Sequence, residues 1–282
     1  MATSNAVQQR KRSGAKLLRR LAVPQNHEKV IRSFFCERVQ YSGTEPVFPY
    51  PLYLLGFSNR TGSNLLAEYL RATKAFGGFT EQLNHNSVVS LSESMGITTF
   101  PHYFIQVEAK FGTPDSFYGF KASWNQILML LRCGIDRMYH GVKIIHLTRG
   151  DGVAQAISFS IAHQTSQWTS LQSRVDTQPT FDFEDIAARL ESNLFSSDAI
   201  ALTCSLFDIP RLHVTYEVLT ENPQSVMSEI EAFSGRDFGA WEPQPPLLEK
   251  QSGSINDKYR ERFIASARRR ILAAAGARKQ MG

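Results

Sequence analysis

The residues best placed to do chemistry lie in Leu54-Leu55-Gly56-Phe57-Ser58-Asn59-Arg60-Thr61-Gly62-Ser63-Asn64-Leu65-Leu66, where an apolar strand breaks into a small, hydroxyl-rich turn and restarts as a helix. Backbone N–H groups at a helix N-terminus lack internal partners and carry partial positive charge, so such a turn is a cradle for phosphate or sulfate. An ATP or GTP loop follows G-x-x-x-x-G-K-[ST]. Here Gly56 and Gly62 are one residue too far apart, Ser63 and Asn64 follow Gly62, and the nearby cation is Arg60 inside the turn. Tight turns also use Gly and Ser for their own geometry, so the loop alone leaves both readings open. Two further cations, Lys121 and Arg149, stand at the ends of other strand-like runs.

The elements that must position these residues alternate along the chain. Pro51–Phe57 reads as a strand followed by a helix from Gly62 to Lys74, and Phe117–Ala122 as a strand followed by a helix through Leu131. Val142–Leu147 reads as a buried strand, Asp151 as the cap of a helix over Val153–Ala162, and Phe183–Phe207 as a long helix. Arg211–Tyr216 is again strand-like, and Pro223–Phe233 is helical with Pro near its start. Strands separated by helical crossovers imply an α/β fold with a mostly parallel central sheet flanked by helices on both faces. Ligands then bind at the carboxyl ends of the strands. Arg60, Lys121 and Arg149 are therefore expected to converge on one crevice if the first strand is central.

Composition restricts the function classes. The 282 residues support a sizeable core and contain no unbroken apolar run of membrane-spanning length. The N-terminus, rich in Gln, Lys and Arg, lacks the apolar core of a secretory signal, which makes the cytoplasm the expected location. Cys36, Cys133 and Cys204 are too few and too scattered for a disulfide framework, and no HExxH or His/Cys cluster suggests a metal. The net charge of +5 is uneven. Residues 1–40 hold nine Lys/Arg against two acids and residues 257–282 hold eight against two, which divides the chain into a basic helical extension (1–40), a central domain (41–256) and a basic C-terminal helix (257–282). Runs such as Arg10-Lys11-Arg12 and Arg268-Arg269-Arg270 read as solvated faces or as a peripheral contact with an anionic membrane; without aromatic interleaving, nucleic acid is a disfavoured partner.

Taken in order, the motifs resemble the bacterial trehalose 2-sulfotransferase family, which also takes in carbohydrate sulfotransferases of lipopolysaccharide-decorating type. The resemblance rests on Arg60-Thr61-Gly62-Ser63 with Leu65-Leu66, Gly119-Phe120-Lys121-Ala122-Ser123-Trp124-Asn125-Gln126, His146-Leu147-Thr148-Arg149-Gly150-Asp151, Val153-Ala154-Gln155-Ala156-Ile157-Ser158 and Gln164-Thr165-Ser166-Gln167-Trp168. It implies a P-loop-like three-layer sandwich and the donor 3′-phosphoadenosine 5′-phosphosulfate, with no metal. By the same resemblance Ser58, Asn59, Arg60, Thr61, Gly62, Ser63 and Asn64 cradle the 5′-phosphosulfate, Arg149 and Ser158 hold the 3′-phosphate, and Lys250 lies in a late loop closing over the nucleotide. Glu81 matches the family's general base, with Arg60 and Lys121 stabilising the departing phosphate oxygen.

The implied reaction is in-line sulfuryl transfer to a carbohydrate hydroxyl of trehalose, a glycolipid or a lipopolysaccharide sugar. His85 and His102 are alternative bases ranked below Glu81, and Trp124 and Trp168 are either core anchors or stacking platforms. Self-association into a homodimer stays open. Two other functions compete: a P-loop-type nucleotide or small-molecule kinase, and a non-catalytic module docking on membrane or nucleic acid through its basic ends.

Overall fold

The computed structural model describes residues 17–168, 178–243 and 253–277; Lys250 and the Arg10-Lys11-Arg12 run lie outside the described residues. A five-stranded sheet forms from β1 (Leu52–Phe57), β2 (Phe76–Thr80), β3 (Phe117–Ala122), β4 (Val142–Thr148) and β5 (Arg211–Thr215). The order is β2-β3-β1-β4-β5, and every neighbouring pair is parallel. The first strand is therefore central, and the loops after β1, β3 and β4 leave the sheet at one edge.

Helices cover both faces, as the unbroken apolar strands require. They are α1 (Asn26–Phe35), α2 (Ser63–Ala72), α3 (His85–Met95), α4 (Phe100–Phe111), α5 (Trp124–Arg132), α6 (Gly152–Thr165), α7 (Phe183–Leu206), α8 (Tyr216–Glu221), α9 (Pro223–Ser234) and α10 (Ser254–Ala277). Side chains of β1 alternate between two cores. Leu52 and Leu54 pack with Phe35 of α1, Phe104 of α4, Ile127 of α5 and Ile200 of α7. Tyr53 and Leu55 pack with Leu70 of α2 and Ile230 of α9. A smaller core joins Ile157 of α6 and Ile186 of α7 to Phe263 of α10.

Four elements, β2, α3, α4 and α8, have no counterpart in the pattern read from sequence. The strand β2, Phe76-Gly77-Gly78-Phe79-Thr80, carries two glycines and forms the edge of the sheet. Helices α3 and α4 are capped by Asn84, which accepts from the Asn86 N–H, and by Thr99, which accepts from the His102 N–H. Helix α2 starts at Ser63, with Gly62 as its left-handed cap, and Tyr216 opens α8 instead of closing β5. Trp124 packs edge-on against Phe195, the core-anchor outcome. No helix among the described residues is long and apolar enough to cross a membrane.

The register of β2 against β3 slips at Phe79: Gly78 faces Gly119, and Thr80 faces Phe120. Gly78 has φ +77°, and a Cβ there would sit 2.3 Å from the Gly119 carbonyl oxygen, so only glycine fits. Phe79 takes φ +50°. A bulge of this kind bends the strand end and re-aims the residue just beyond it, Glu81.

Candidate active site

The loop after β1 is held from within and from behind. Thr61, fully buried, donates its hydroxyl to the Ser58 carbonyl at 2.9 Å. Gln155 of α6 donates to Ser58 Oγ at 2.9 Å and to the Asn59 carbonyl at 2.7 Å. Arg60 has φ +65° and Gly62 φ +85°. A Cβ on Gly62 would meet Tyr216 Cδ2 at 2.4 Å, so the ring of Tyr216 occupies the space a side chain would need. Two left-handed residues within three positions fold the chain back on itself at the start of α2, where its free N–H groups concentrate.

One flank of the loop is built from guanidinium groups. Arg60 Nε donates to Ser158 Oγ at 3.0 Å, and its Nη1 donates to the Trp168 carbonyl at 2.6 Å. Arg149, from the end of β4, donates from Nη1 to the Arg60 carbonyl at 3.4 Å and lies 4.7 Å over the Tyr216 ring. Its Nε is buried and has no hydrogen-bond partner among the described residues. Burial, and then the charge of Arg149, pulls Arg60 below its ordinary value. A guanidinium side chain is a cation in proteins, so two of them side by side favour an anion between them. Beside it, the N–H groups of Gly150 and Asp151 donate to Glu217 of α8, which fixes the turn into α6. A cleft of about 280 Å³ adjoins this flank, lined by Ser58, Arg149, Gln155, Leu190 and Asn193 among others.

The other flank holds an ion pair. Lys121, at the end of β3, donates to Asn64 Oδ1 at 2.5 Å and to Glu81 Oε1 at 2.8 Å. Its Nζ also lies 4.7 Å from the centre of the Phe57 ring. The pair is asymmetric: the lysine side chain is 3% exposed and the carboxylate 57%. Burial pulls the Lys121 ammonium below its ordinary value, opposed by the charge and hydrogen bond of Glu81. Behind Glu81, Gln82 is held by the hydroxyls of Tyr103, donating to its carbonyl, and Tyr118, donating to its Oε1, both at 2.7 Å.

Apart from Lys250, which lies outside the described residues, the charged residues singled out from sequence thus meet at one sheet edge, shared between two flanks. Arg60, Arg149 and Ser158 form one; Lys121, Asn64 and Glu81 form the other. His102 is an exposed surface residue within hydrogen-bond distance of Gln106, whereas His85 contacts His27. The supports Gln155, Tyr216, Glu217 and Gln82 are absent from the sequence-based site. Gln155 lay inside a recognised motif and Tyr216 and Glu217 in a more weakly matching segment, but nothing in their spacing named the loop as their partner.

A parallel sheet with a glycine-containing anion loop after its central strand, one flank of arginines and one of a buried lysine on a carboxylate, defines a P-loop-like α/β protein shaped for a multiply charged anion. Residues 52–266 match the Stf0 sulphotransferase family, and the chain belongs to it. It is 24% identical over 257 residues to trehalose 2-sulfotransferase of Mycobacterium tuberculosis, covering 77% of this chain and 96% of that protein. It is 26% identical over 259 residues to the trehalose 2-sulfotransferase of Mycolicibacterium smegmatis, with the same coverage of 77% and 96%. The sulfotransferase domain of the Synechococcus PCC 7002 olefin synthase superposes with a TM-score of 0.48 at 15% identity, over 71% of this chain and 78% of that one. The protein is a sulfotransferase enzyme of this family, with the sandwich fold that the sequence motifs imply.

Proposed function

We propose that the protein transfers a sulfuryl group from 3′-phosphoadenosine 5′-phosphosulfate to a carbohydrate hydroxyl, with trehalose the first acceptor to test because its curated relatives are named for it. The observation that carries the reading is the Lys121–Glu81 pair beside the anion loop, opposite a second cationic flank. A donor with phosphate at two ribose positions needs two anion sites, and the loop is flanked by a cationic side chain on either side. The open Nε of Arg149 and the convergence of Arg60 and Ser158 suit the 3′-phosphate, while the loop N–H groups and Lys121 suit the phosphosulfate.

In this reading Arg60 belongs with the 3′-phosphate flank through its side chain, although its backbone remains part of the 5′-phosphosulfate cradle. Glu81, the more exposed member of its pair, is the base. The acceptor oxygen forms its bond to sulfur as its proton passes to the Glu81 carboxylate. The bond from sulfur to the phosphate oxygen breaks, and that oxygen keeps the electron pair. Loop N–H groups and the Lys121 ammonium stabilise the charge that develops on it.

The test is a comparison of 3′-phosphoadenosine 5′-phosphate, AMP and ATP with magnesium in a thermal-shift titration, because a ligand bound to the folded state raises apparent stability. The bisphosphorylated nucleotide should stabilise the wild type most, and Arg149→Ala should abolish its advantage over AMP. Preferential stabilisation by ATP would favour a kinase and refute the sulfuryl donor.

A further inference from the structure

The family match begins at residue 52, yet α1 lies before it and brings an imidazole to the neighbourhood of Glu81. We propose that His27 of α1, held by His85 of α3, forms an acceptor subsite that hydrogen-bonds a hydroxyl pair on adjacent sugar carbons beside Glu81. This rests on the sulfuryl-transfer reading and adds to it the part of the acceptor that is recognised.

The position of His27 is fixed by its neighbours. Glu28, 1% exposed, accepts from Arg32 at 2.8 Å and from Arg132 of α5, whose Nη1 also donates to the Leu21 carbonyl. Ile31 and Phe35 of the same helix are buried in the main core. On the opposite side, the Asn84 N–H donates to the Glu81 carbonyl at 3.0 Å, closing the turn that separates Glu81 from His85. The two histidine rings lie 4.9 Å apart, and the Glu81 charge acts on His27.

Hydrogen bonding sets the tautomers. The His85 backbone N–H donates to His27 Nδ1 at 3.2 Å, so that nitrogen carries a lone pair. The 2.9 Å contact between the two Nδ1 atoms then requires the proton on His85. His27 consequently keeps its proton on Nε2 as a donor, and His85 Nε2 is an acceptor. Burial, reinforced by His85 and opposed by Glu81, holds His27 below its ordinary value, which favours the neutral ring. A fixed donor next to a fixed acceptor complements two neighbouring hydroxyls, each of which can donate and accept.

The experiment measures sulfuryl transfer by the full chain at saturating donor to trehalose, glucose and their single-deoxy analogues. Losing one hydrogen bond from His27→Ala should raise the acceptor KM about three- to tenfold and shrink the wild-type discrimination against one deoxy analogue by a similar factor. The donor KM and the thermal shift with 3′-phosphoadenosine 5′-phosphate should stay at wild-type values. His85→Ala should act in the same direction, and the double variant should lose less than the product of the two single effects, because the two rings act as a unit.

Unchanged acceptor KM and deoxy discrimination in His27→Ala would overturn the subsite. So would an equal loss of nucleotide binding, which marks a purely structural pair. Failure of the wild type to sulfate any of these sugars while still binding the nucleotide would instead overturn the carbohydrate reading, and the subsite with it.

Discussion

The asymmetry of the Lys121–Glu81 pair makes a prediction in which stability and activity separate. Lys121 is 3% exposed and Glu81 57%, so removing either partner leaves a different residue behind. With Glu81→Ala, a buried ammonium keeps only Asn64 Oδ1 and the face of the Phe57 ring. Breaking a fully buried pair this way costs about 3–5 kcal/mol, and solvent reaching this pair from the carboxylate side lowers that to ~1–3 kcal/mol. With Lys121→Met the residue left behind is a carboxylate already in water, and the stability change should stay within about 1 kcal/mol. Glu81→Gln keeps an oxygen for Lys121 and should fold normally while lowering kcat by about 10²- to 10⁴-fold, the usual contribution of a general base. Urea denaturation of the three variants and transfer rates at saturating donor provide the assay. Equal destabilisation by Glu81→Ala and Lys121→Met would refute the electrostatic reasoning. A kcat for Glu81→Gln within about threefold of wild type would remove Glu81 from the role of base.

His146 is buried between β1 and β5, and burial, then the charges of Arg211 and His213, lowers it from its ordinary 6.5 to about 3. The unfolded chain binds its proton first, so stability should fall as pH drops from 6.5 towards 3, by about 1.4 kcal/mol per unit for one proton. His146→Gln should flatten that slope in denaturation curves, and an unchanged slope would contradict the assignment. Glu108, whose Oε2 is buried with no hydrogen-bond partner among the described residues, is raised by burial from 4.5 to about 7, so its contribution runs the other way and is lost as pH rises through that range. Glu108→Gln should therefore stabilise the protein at pH 8 but not at pH 4, measured by the denaturation midpoint. Gly62→Ala should lose at least about 1 kcal/mol to the left-handed backbone and more to the clash with Tyr216, and weaken 3′-phosphoadenosine 5′-phosphate in the thermal-shift titration; unchanged binding would mean the loop tolerates a shifted ring.

Much of the fold was readable because β1, β3 and β4 are apolar on both faces and each runs into a helix with a recognisable start. The anion loop and the cations Arg60, Lys121 and Arg149 were readable for the same reason, since a parallel sheet sends their segments to one edge. The strand β2 was not: two adjacent glycines carry no strand signal, yet the freedom of Gly78 is needed for close approach to β3 and for the bulge at Phe79. Without β2 beside β3, sequence spacing cannot show that Glu81 meets Lys121. The weakly patterned α3, rich in Ser, also escaped notice, and with it the contact between His85 and His27, 58 positions apart. Lys250 lies outside the described residues, so its role as a lid residue stays a proposal.

The seating of α1 separates the unit that is inherited from the unit that folds. A protein cut back to residue 52 would retain the loop, both flanks and the whole family match. It would also strip Ile31, Phe35 and Val39 from the main core, take from Phe100 the Phe35 ring it packs against, and leave Arg132 without the carboxylate it embraces. Exposed apolar surface of that extent favours self-association over a dispersed monomer. Trimming this protein to the outline of its family would thus be expected to give aggregated material, even though every residue of the anion loop is still present.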